Sequence, residues 1–404
     1  MVSIVSDMGD LHFNPMDPAF LADPYPTYHR LRGEDPVHLS PLGFWVLTRY
    51  EDVVAALRDP RLAKEAIASF IAARFGIAVP VGMGLSMLDR DPPDHTRLRS
   101  LVSKAFTPRV VEGLRPRIQQ IVDGLVERAL AKGGMDLIEE FAYPIPVIVI
   151  CEMLGVPVAD HERFKGWSLD IARGLDAIML PPDSVVGMRS GTSRRALAEY
   201  FRDLIAERRA APREDLLSAL IAAEEAGDTL SEDELLATCI LLLVAGHETT
   251  VNLIGNGTYA LLRHPDELRR LRENPGLIGT AVEELLRYDG PVQRTARIPS
   301  EDVTIDGRKI RAGEMVMPFI GAADRDPAQF ADPDRLDLAR ADNRHIAFGW
   351  GMHFCLGAPL ARVEGQIAID ALVRRFPKLE LVTDEPEYRQ SLTLRGLKTL
   401  PVRF

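Results

Sequence analysis

The chain has 404 residues, 46% of them hydrophobic and 26% charged, enough to bury a sizeable core under a hydrated surface. Its formal net charge of −11 argues against a general nucleic-acid binder, which is normally basic. The three cysteines, Cys151, Cys239 and Cys355, are too few and too scattered for a disulfide framework and fit a reducing compartment such as the cytoplasm.

In chain order, residues 1–10 contain Asp7 and Asp10 and no long apolar run, so neither a signal peptide nor a membrane anchor is expected there. A turn-rich stretch around Pro24 and Pro26 leads into a helix over 27–32. Residues 37–39 and 44–48 read as two short strands of a hairpin, separated by Pro41 and Gly43. A helix over 50–57 ends at Asp59-Pro60. Residues 61–91 mix glycines and apolar residues without clean periodicity, which predicts an irregular segment, either a binding loop or a plain surface loop.

Most of the chain from there to residue 288 has helical periodicity: 94–105, 109–131, 137–142, 144–154, 159–175, 194–209, 215–225, 232–263, 265–273 and 276–288. Asp306-Gly307 marks a hairpin between strands at 303–305 and 309–310. Further strands are expected at 314–319, 379–382 and 400–404. The sum is a mainly α fold with small β pieces early and late. No repeat or linker divides it, so residues 1–404 are expected to form a single domain.

The helix over 232–263 is the longest. Ser231 and Glu234 make a capping box at its start, and its length is about 48 Å at 1.5 Å per residue. It is apolar all round through Leu235, Ile240, Leu241, Leu242, Leu243 and Val244, which predicts burial. The apolar run itself is shorter than the roughly 20 residues that span a bilayer. In its middle stands Ala245-Gly246-His247-Glu248-Thr249-Thr250, a set of small and polar residues that a buried helix normally avoids. Position 251 is Val, so no His-Glu-x-x-His zinc site is present. Glu284 and Arg287, three apart, share one helix face. His95 and Arg99, four apart, do the same on the helix that opens at Asp94.

Near the end comes Phe348-Gly349-Trp350-Gly351-Met352-His353-Phe354-Cys355-Leu356-Gly357, a glycine-closed loop with a thiol where the next helix begins. A helix start favours the thiolate through its partial positive charge and free N–H groups, and a thiolate can ligate a metal. This stretch resembles the haem-binding loop of the cytochrome P450 family, Phe-Gly-x-Gly-x-His-x-Cys-x-Gly, with every fixed position met.

The resemblance extends over nearly the whole chain and implies a fold, a cofactor and roles for particular residues. Cys355 would be the axial ligand of haem b, in a loop shaped by Phe348, Gly349, His353 and Gly357. His95, Arg99, Arg297 and His353 would hold the propionates. Ala245 and Gly246 would open an oxygen-binding groove beside the acid–alcohol pair Glu248 and Thr249, which would govern protons. Glu284 and Arg287 would form a structural ion pair. The substrate pocket would be lined by the 61–91 segment and by Leu241, Val244, Val292, Arg294, Thr393 and Leu394. Arg294 is its one charge and a candidate partner for an anionic substrate. Asp324 and Leu336 depart from the family's common Asn and Phe.

The activity implied is that of a soluble bacterial monooxygenase. It would hydroxylate or epoxidise a fatty acid, terpenoid, steroid or polyketide with dioxygen and electrons from a ferredoxin and ferredoxin reductase, or a flavodoxin. Lys104, Arg109 and Arg362 are candidate docking cations for that partner. A cytoplasmic monomer without a nucleic-acid or membrane partner is expected. Two other classes stay open: a haem-binding sensor or carrier without turnover, and a cysteine hydrolase using Cys355 as nucleophile, which would hold no haem.

Overall fold

The helix Glu232–Arg263 runs through the interior of the computed structural model, which describes residues 13–15, 17–75, 85–180, 184–225 and 230–404. Both halves of its capping box form, Ser231 Oγ accepting from the Glu234 amide and Glu234 from the Ser231 amide. It packs against the helices Pro144–Leu154, His161–Arg173, Val185–Ala210, Ile278–Tyr288 and Ala358–Arg375. By length and composition alone it could cross a membrane, yet 72% of its most apolar 18-residue window is buried inside the protein. It is thus the core helix, and burial over most of its surface is why its sequence lacks an amphipathic stripe.

Helices make up 59% of the chain, with small sheets at the periphery. Strands Val37–Leu39 and Phe44–Leu47 pair antiparallel, Val37 opposite Leu47, and Met315–Pro318 adds to the second strand in parallel after a crossover of more than 260 residues. Leu62–Ala63 pairs with Ile298–Pro299. The hairpin Val303–Ile305 with Arg308–Ile310 turns through Asp306 and Gly307, both at positive φ (44° and 73°), the conformation that favours an Asp-Gly pair. Pro401–Arg403 pairs with Gly134–Asp136 and with Glu380–Leu381.

Three local expectations change. Ala66–Phe75 is a helix within the segment expected to be irregular. Its sequence, Ala-Ile-Ala-Ser-Phe-Ile-Ala-Ala-Arg-Phe, is apolar on all sides and so shows no helical period. The rest of that segment's glycine-rich part, 76–84, lies outside the described residues, as does the expectation for residues 1–10. Val185–Ala210 starts nine residues before the predicted 194, because Ser184 caps it at the Gly187 amide where Gly187, Gly191 and two valines had masked the helical signal. Residues Ile138–Ala142 form a π-helix rather than an α-helix.

Candidate active site

The loop before Cys355 is built by backbone geometry. Gly349 and Gly351 both sit at positive φ (72° and 73°), where a side chain would be strained. A Cβ on Gly351 would also lie 2.5 Å from the Leu57 carbonyl oxygen. The Gly349 amide donates to Ile346 O at 2.7 Å and the Cys355 amide to Phe348 O at 2.9 Å, which closes the turn. Gly357 differs from the other two: it has ordinary φ, caps the helix Ala358–Arg375, and a Cβ there would meet no protein atom within 4 Å. Packing within the protein gives no reason for that glycine, whereas a flat ligand against the loop would.

The Cys355 side chain is accessible, while Cys151 and Cys239 are buried and their thiols are pushed up to about 12 by burial. At Cys355 crowding by the protein also raises the thiol pKa. The amides of Gly357 and Ala358 and the guanidiniums of Arg99 and Arg362 act in the opposite sense. The helix start thus favours the thiolate as expected from sequence, against the crowding, and a coordinated metal ion would complete the deprotonation. Among the described residues no three His, Cys, Asp or Glu side chains cluster as a metal site. A metal at Cys355 must bring most of its own ligands, as the iron of a macrocycle does.

Beside the loop lies a basic cluster. The His95 and His353 rings are 4.5 Å apart, and the buried His353 Nε2 has no hydrogen-bond partner among the described residues. Burial, reinforced by Lys64, Arg297, His95 and Arg99, pushes His353 down to about 2. Arg297 is 3% exposed, and burial lowers it to about 10 despite Asp91. Arg99 donates to the loop carbonyls of Met352 (3.2 Å) and Phe354 (2.7 Å), anchoring its helix to the loop. Lys64 was not anticipated. It donates to Thr295 Oγ1 at 3.0 Å, as does Arg297 at 3.1 Å, and burial followed by the Arg297 charge lowers it to about 7. The nearby acids are engaged elsewhere, Asp91 by the amides of Lys64 and Glu65 and Asp89 by Ser86. Arg97 turns away to Asp94 and Glu234. No signal in the sequence marks Lys64, since it is separated from Thr295 by 231 residues.

On the central helix, Ala245 is exposed and Leu241, Val244 and Thr249 half-buried, although the residues around them are buried. The helix therefore presents an accessible face at mid-length. Thr249 Oγ1 donates to Ala245 O at 3.1 Å. Gly246 does not open that face: a Cβ there would come within 3.0 Å of the Ile150 side chain, so the glycine lets two helices approach. Glu248 points away from the accessible face. It is 4% exposed and ion-paired with Arg389, which no sequence motif singles out, and lies 4.0 Å from His247 Nε2.

Glu284 and Arg287 are fully buried and joined by two bonds of 2.8 Å. Arg340 (3.0 Å), Asn343 (3.2 Å) and the Asp337 amide (3.0 Å) also converge on Glu284, while Arg287 donates to the carbonyls of Asp324 and Pro333. The pair thus holds residues 324–343, the approach to the cysteine loop, against the helix Ile278–Tyr288. Asp324 completes the link: burial pushes it up to about 7, and its carboxyl accepts from the Ile346 amide at 2.7 Å.

Next to it, Glu283 bonds His345 (3.0 Å) and Arg362 (2.7 and 2.8 Å), and Arg362 lies 4.5 Å from the Phe348 ring centroid. Arg362 is therefore committed to the loop rather than free for docking, whereas Lys104 and Arg109 are exposed. Burial raises Glu283, but the bonds from His345 and Arg362 outweigh it and hold the carboxyl down to about 2. A depressed carboxylate stabilises the fold above its unfolded pKa of about 4.3, and that contribution drains away as pH falls through its folded value. The stability difference between wild type and Glu283→Gln will be largest near neutral pH and vanish toward pH ~2. Denaturant unfolding at a series of pH values checks this, and a pH-independent difference would refute it.

Val292, Arg294, Thr393 and Leu394 come together: Val292 bridges Leu394, and the Gln293 amide donates to Thr393 O at 2.9 Å. Arg294, the candidate partner for an anionic substrate, already has a carboxylate partner within the protein. It is 3% exposed and paired with Asp176 at 2.9 Å, a residue from a distant connector.

A family model described as Cytochrome P450 matches residues 37–402. The chain belongs to the cytochrome P450 family. It is 46% identical over 401 residues to "Cytochrome P450 107B1" of Saccharopolyspora erythraea, covering 96% of both chains. It is 46% identical to "Vitamin D(3) 25-hydroxylase" of Pseudonocardia autotrophica, covering 95% of this chain and 94% of the relative. The crystal structure of the myxobacterial cytochrome P450 CYP267B1 in complex with myristic acid superposes with a TM-score of 0.90 at 45% identity, covering 96% and 98% of the two chains. The protein is a cytochrome P450 monooxygenase with the P450 fold, and the family binds haem b through a cysteine thiolate. The residues present fit that group. Cys355 is an accessible lone thiol, Gly357 leaves room beside it, and Lys64, His95, Arg99, Arg297 and the unpartnered Nε2 of His353 gather cations and donors suited to two propionates.

Proposed function

We propose that the protein hydroxylates or epoxidises an apolar or amphipathic small molecule of the fatty-acid, terpenoid, steroid or polyketide class, in the cytoplasm. Its electrons would come from a ferredoxin and ferredoxin reductase or a flavodoxin. The observation that carries this reading is the accessible Cys355 beside a basic cluster whose members lack free acids to pair with. When bound, haem would supply dioxygen activation, and thiolate ligation favours O–O cleavage.

The chain's own residues would do the rest. His95, Arg297 and Lys64 would bind the propionates, with His353 donating from Nε2. Arg99 would orient the cysteine loop through the Met352 and Phe354 carbonyls. Leu241, Val244, Val292 and Leu394 would exclude water and bind apolar substrate surface. Thr249 Oγ1 would hold a proton donor at the accessible face of the central helix, with Glu248 as the buried acid behind it. Lys104 and Arg109 would attract an acidic electron donor near the cysteine side.

Thr249→Ala tests the proton role and the alternative of a carrier without turnover. Product formed per electron supplied should fall by roughly 10²-fold, the lower end of what a positioned proton donor contributes. Reductant consumption should continue, with the thiolate band of the reduced carbon monoxide complex intact. Unchanged coupling would remove Thr249 from the mechanism. A wild-type protein that binds haem yet never turns over any candidate substrate would favour the carrier.

A further inference from the structure

Asp176 lies in the short 3-10 segment Gly174–Met179, which connects the long helices His161–Arg173 and Val185–Ala210. Its carboxylate is buried and accepts five hydrogen bonds. Oδ1 takes Arg294 Nη2 (2.9 Å), the Thr393 amide (3.1 Å) and Thr393 Oγ1 (2.6 Å). Oδ2 takes Ser391 Oγ (2.6 Å) and the Leu392 amide (3.0 Å). A guanidinium, two hydroxyls and two backbone amides thus converge on one carboxylate, a donor set typical of carboxylate recognition.

The donors and the acceptor belong to different parts of the molecule. The stretch that carries Ser391, Leu392 and Thr393 is held independently of Asp176: Thr393 O accepts from the Gln293 amide, and the next two residues are fixed as well, Leu394 by its bridge to Val292 and Arg395 by Asp289 at 2.6 Å and by a hydrogen bond from its amide to Pro291 O. The acceptor comes from a thin connector whose neighbours Arg173 and Leu175 are exposed. The donor set is also not exhausted. Arg294 Nε is buried and has no partner among the described residues, so half of the guanidinium fork goes unused. A carboxylate arriving side-on at Nε and Nη2 would satisfy both.

We infer that Arg294, Ser391, Leu392 and Thr393 form a receptor for the acid group of a carboxylate substrate, and that Asp176 occupies it in cis until such a substrate displaces it. This rests on the monooxygenase reading above and narrows its substrate class. Val292 and Leu394, which bridge each other beside these donors, are apolar, so the ligand that fits is an amphipathic carboxylate: an acid head on a hydrocarbon body. Uncharged substrates would leave Asp176 in place. An acid would exchange one carboxylate for another and release the connector.

The test compares dodecanoate with dodecan-1-ol, by calorimetry on haem-loaded wild type and Asp176→Asn. Removing the competing charge leaves Arg294 uncompensated, so affinity for dodecanoate should rise by about tenfold or more, with that for the alcohol nearly unchanged. An equal gain for both ligands, or for neither, overturns the inference. If Asp176→Asn does not fold, wild type decides. Amide hydrogen exchange over Gly174–Met179 should accelerate with dodecanoate and not with dodecan-1-ol, and no difference overturns the inference. The carbon monoxide spectrum of the same preparation reports on the haem-thiolate reading separately. A missing thiolate band sinks both readings, and an intact band with an unchanged acid-to-alcohol ratio sinks the receptor alone.

Discussion

Cys355→His will abolish the strongly red-shifted Soret band of the reduced carbon monoxide complex and reduce monooxygenase turnover to background. The band reports thiolate ligation, and Cys355 is the accessible thiol of the described structure, the other two being buried and held protonated by burial. The loop itself should survive. Its closure depends on the Cys355 amide bonding Phe348 O and on Gly349 and Gly351 at positive φ, none of which involves the sulfur. Circular dichroism should therefore match wild type. Imidazole can still ligate haem but does not donate charge as a thiolate does, so haem content can persist while oxygen activation is lost. A variant that keeps the band would place the ligand elsewhere. Wild-type protein purified with no Soret absorption at all would instead revive the cysteine-hydrolase alternative.

Arg287→Ala will destabilise the fold by about 3–5 kcal/mol, the range for breaking a buried ion pair by removing one partner. Against a typical total of about 5–15 kcal/mol this is a large fraction, so poor recovery of haem-loaded protein is expected. The physical reason is local. Glu284 would keep Arg340, Asn343 and the Asp337 amide but lose the two bonds of the Arg287 fork, and the carbonyls of Asp324 and Pro333 would lose their buried donor. Those carbonyls lie on the approach to the cysteine loop, so the damage should appear there first, as faster haem loss. Arg287→Lys should recover only part of the stability, because an ammonium cannot match the planar fork. Urea unfolding of the three proteins checks the order. Equal midpoints for Arg287→Ala and wild type would show the pair to be dispensable.

The features legible in the chain are those that are contiguous or helical in register. The cysteine loop is contiguous, so its glycines, His353 and Cys355 are visible together. Glu284 and Arg287 are visible because three residues on a helix share a face, and the central helix because a capping box and an uninterrupted apolar run mark it. The partners of these residues are not visible. Lys64 reaches Thr295 across 231 residues, Arg389 reaches Glu248 across 141, and Asp176 reaches Thr393 across 217. Each sits in a short connector or coil where no period constrains the reading.

Sequence by itself determined the family, the thiol, the central helix and the mainly α architecture, because these rest on local motifs and on backbone periodicity. Only the tertiary structure decided which charges are spent and which remain available. It paired Arg362 with Glu283 and Arg294 with Asp176, and it placed Gly246 against Ile150 rather than in the groove. At Cys355 it set crowding by the protein against the helix start. The reason is common to all four: burial and charge pairing are set by what lies nearby in space, and those neighbours come from remote parts of the chain.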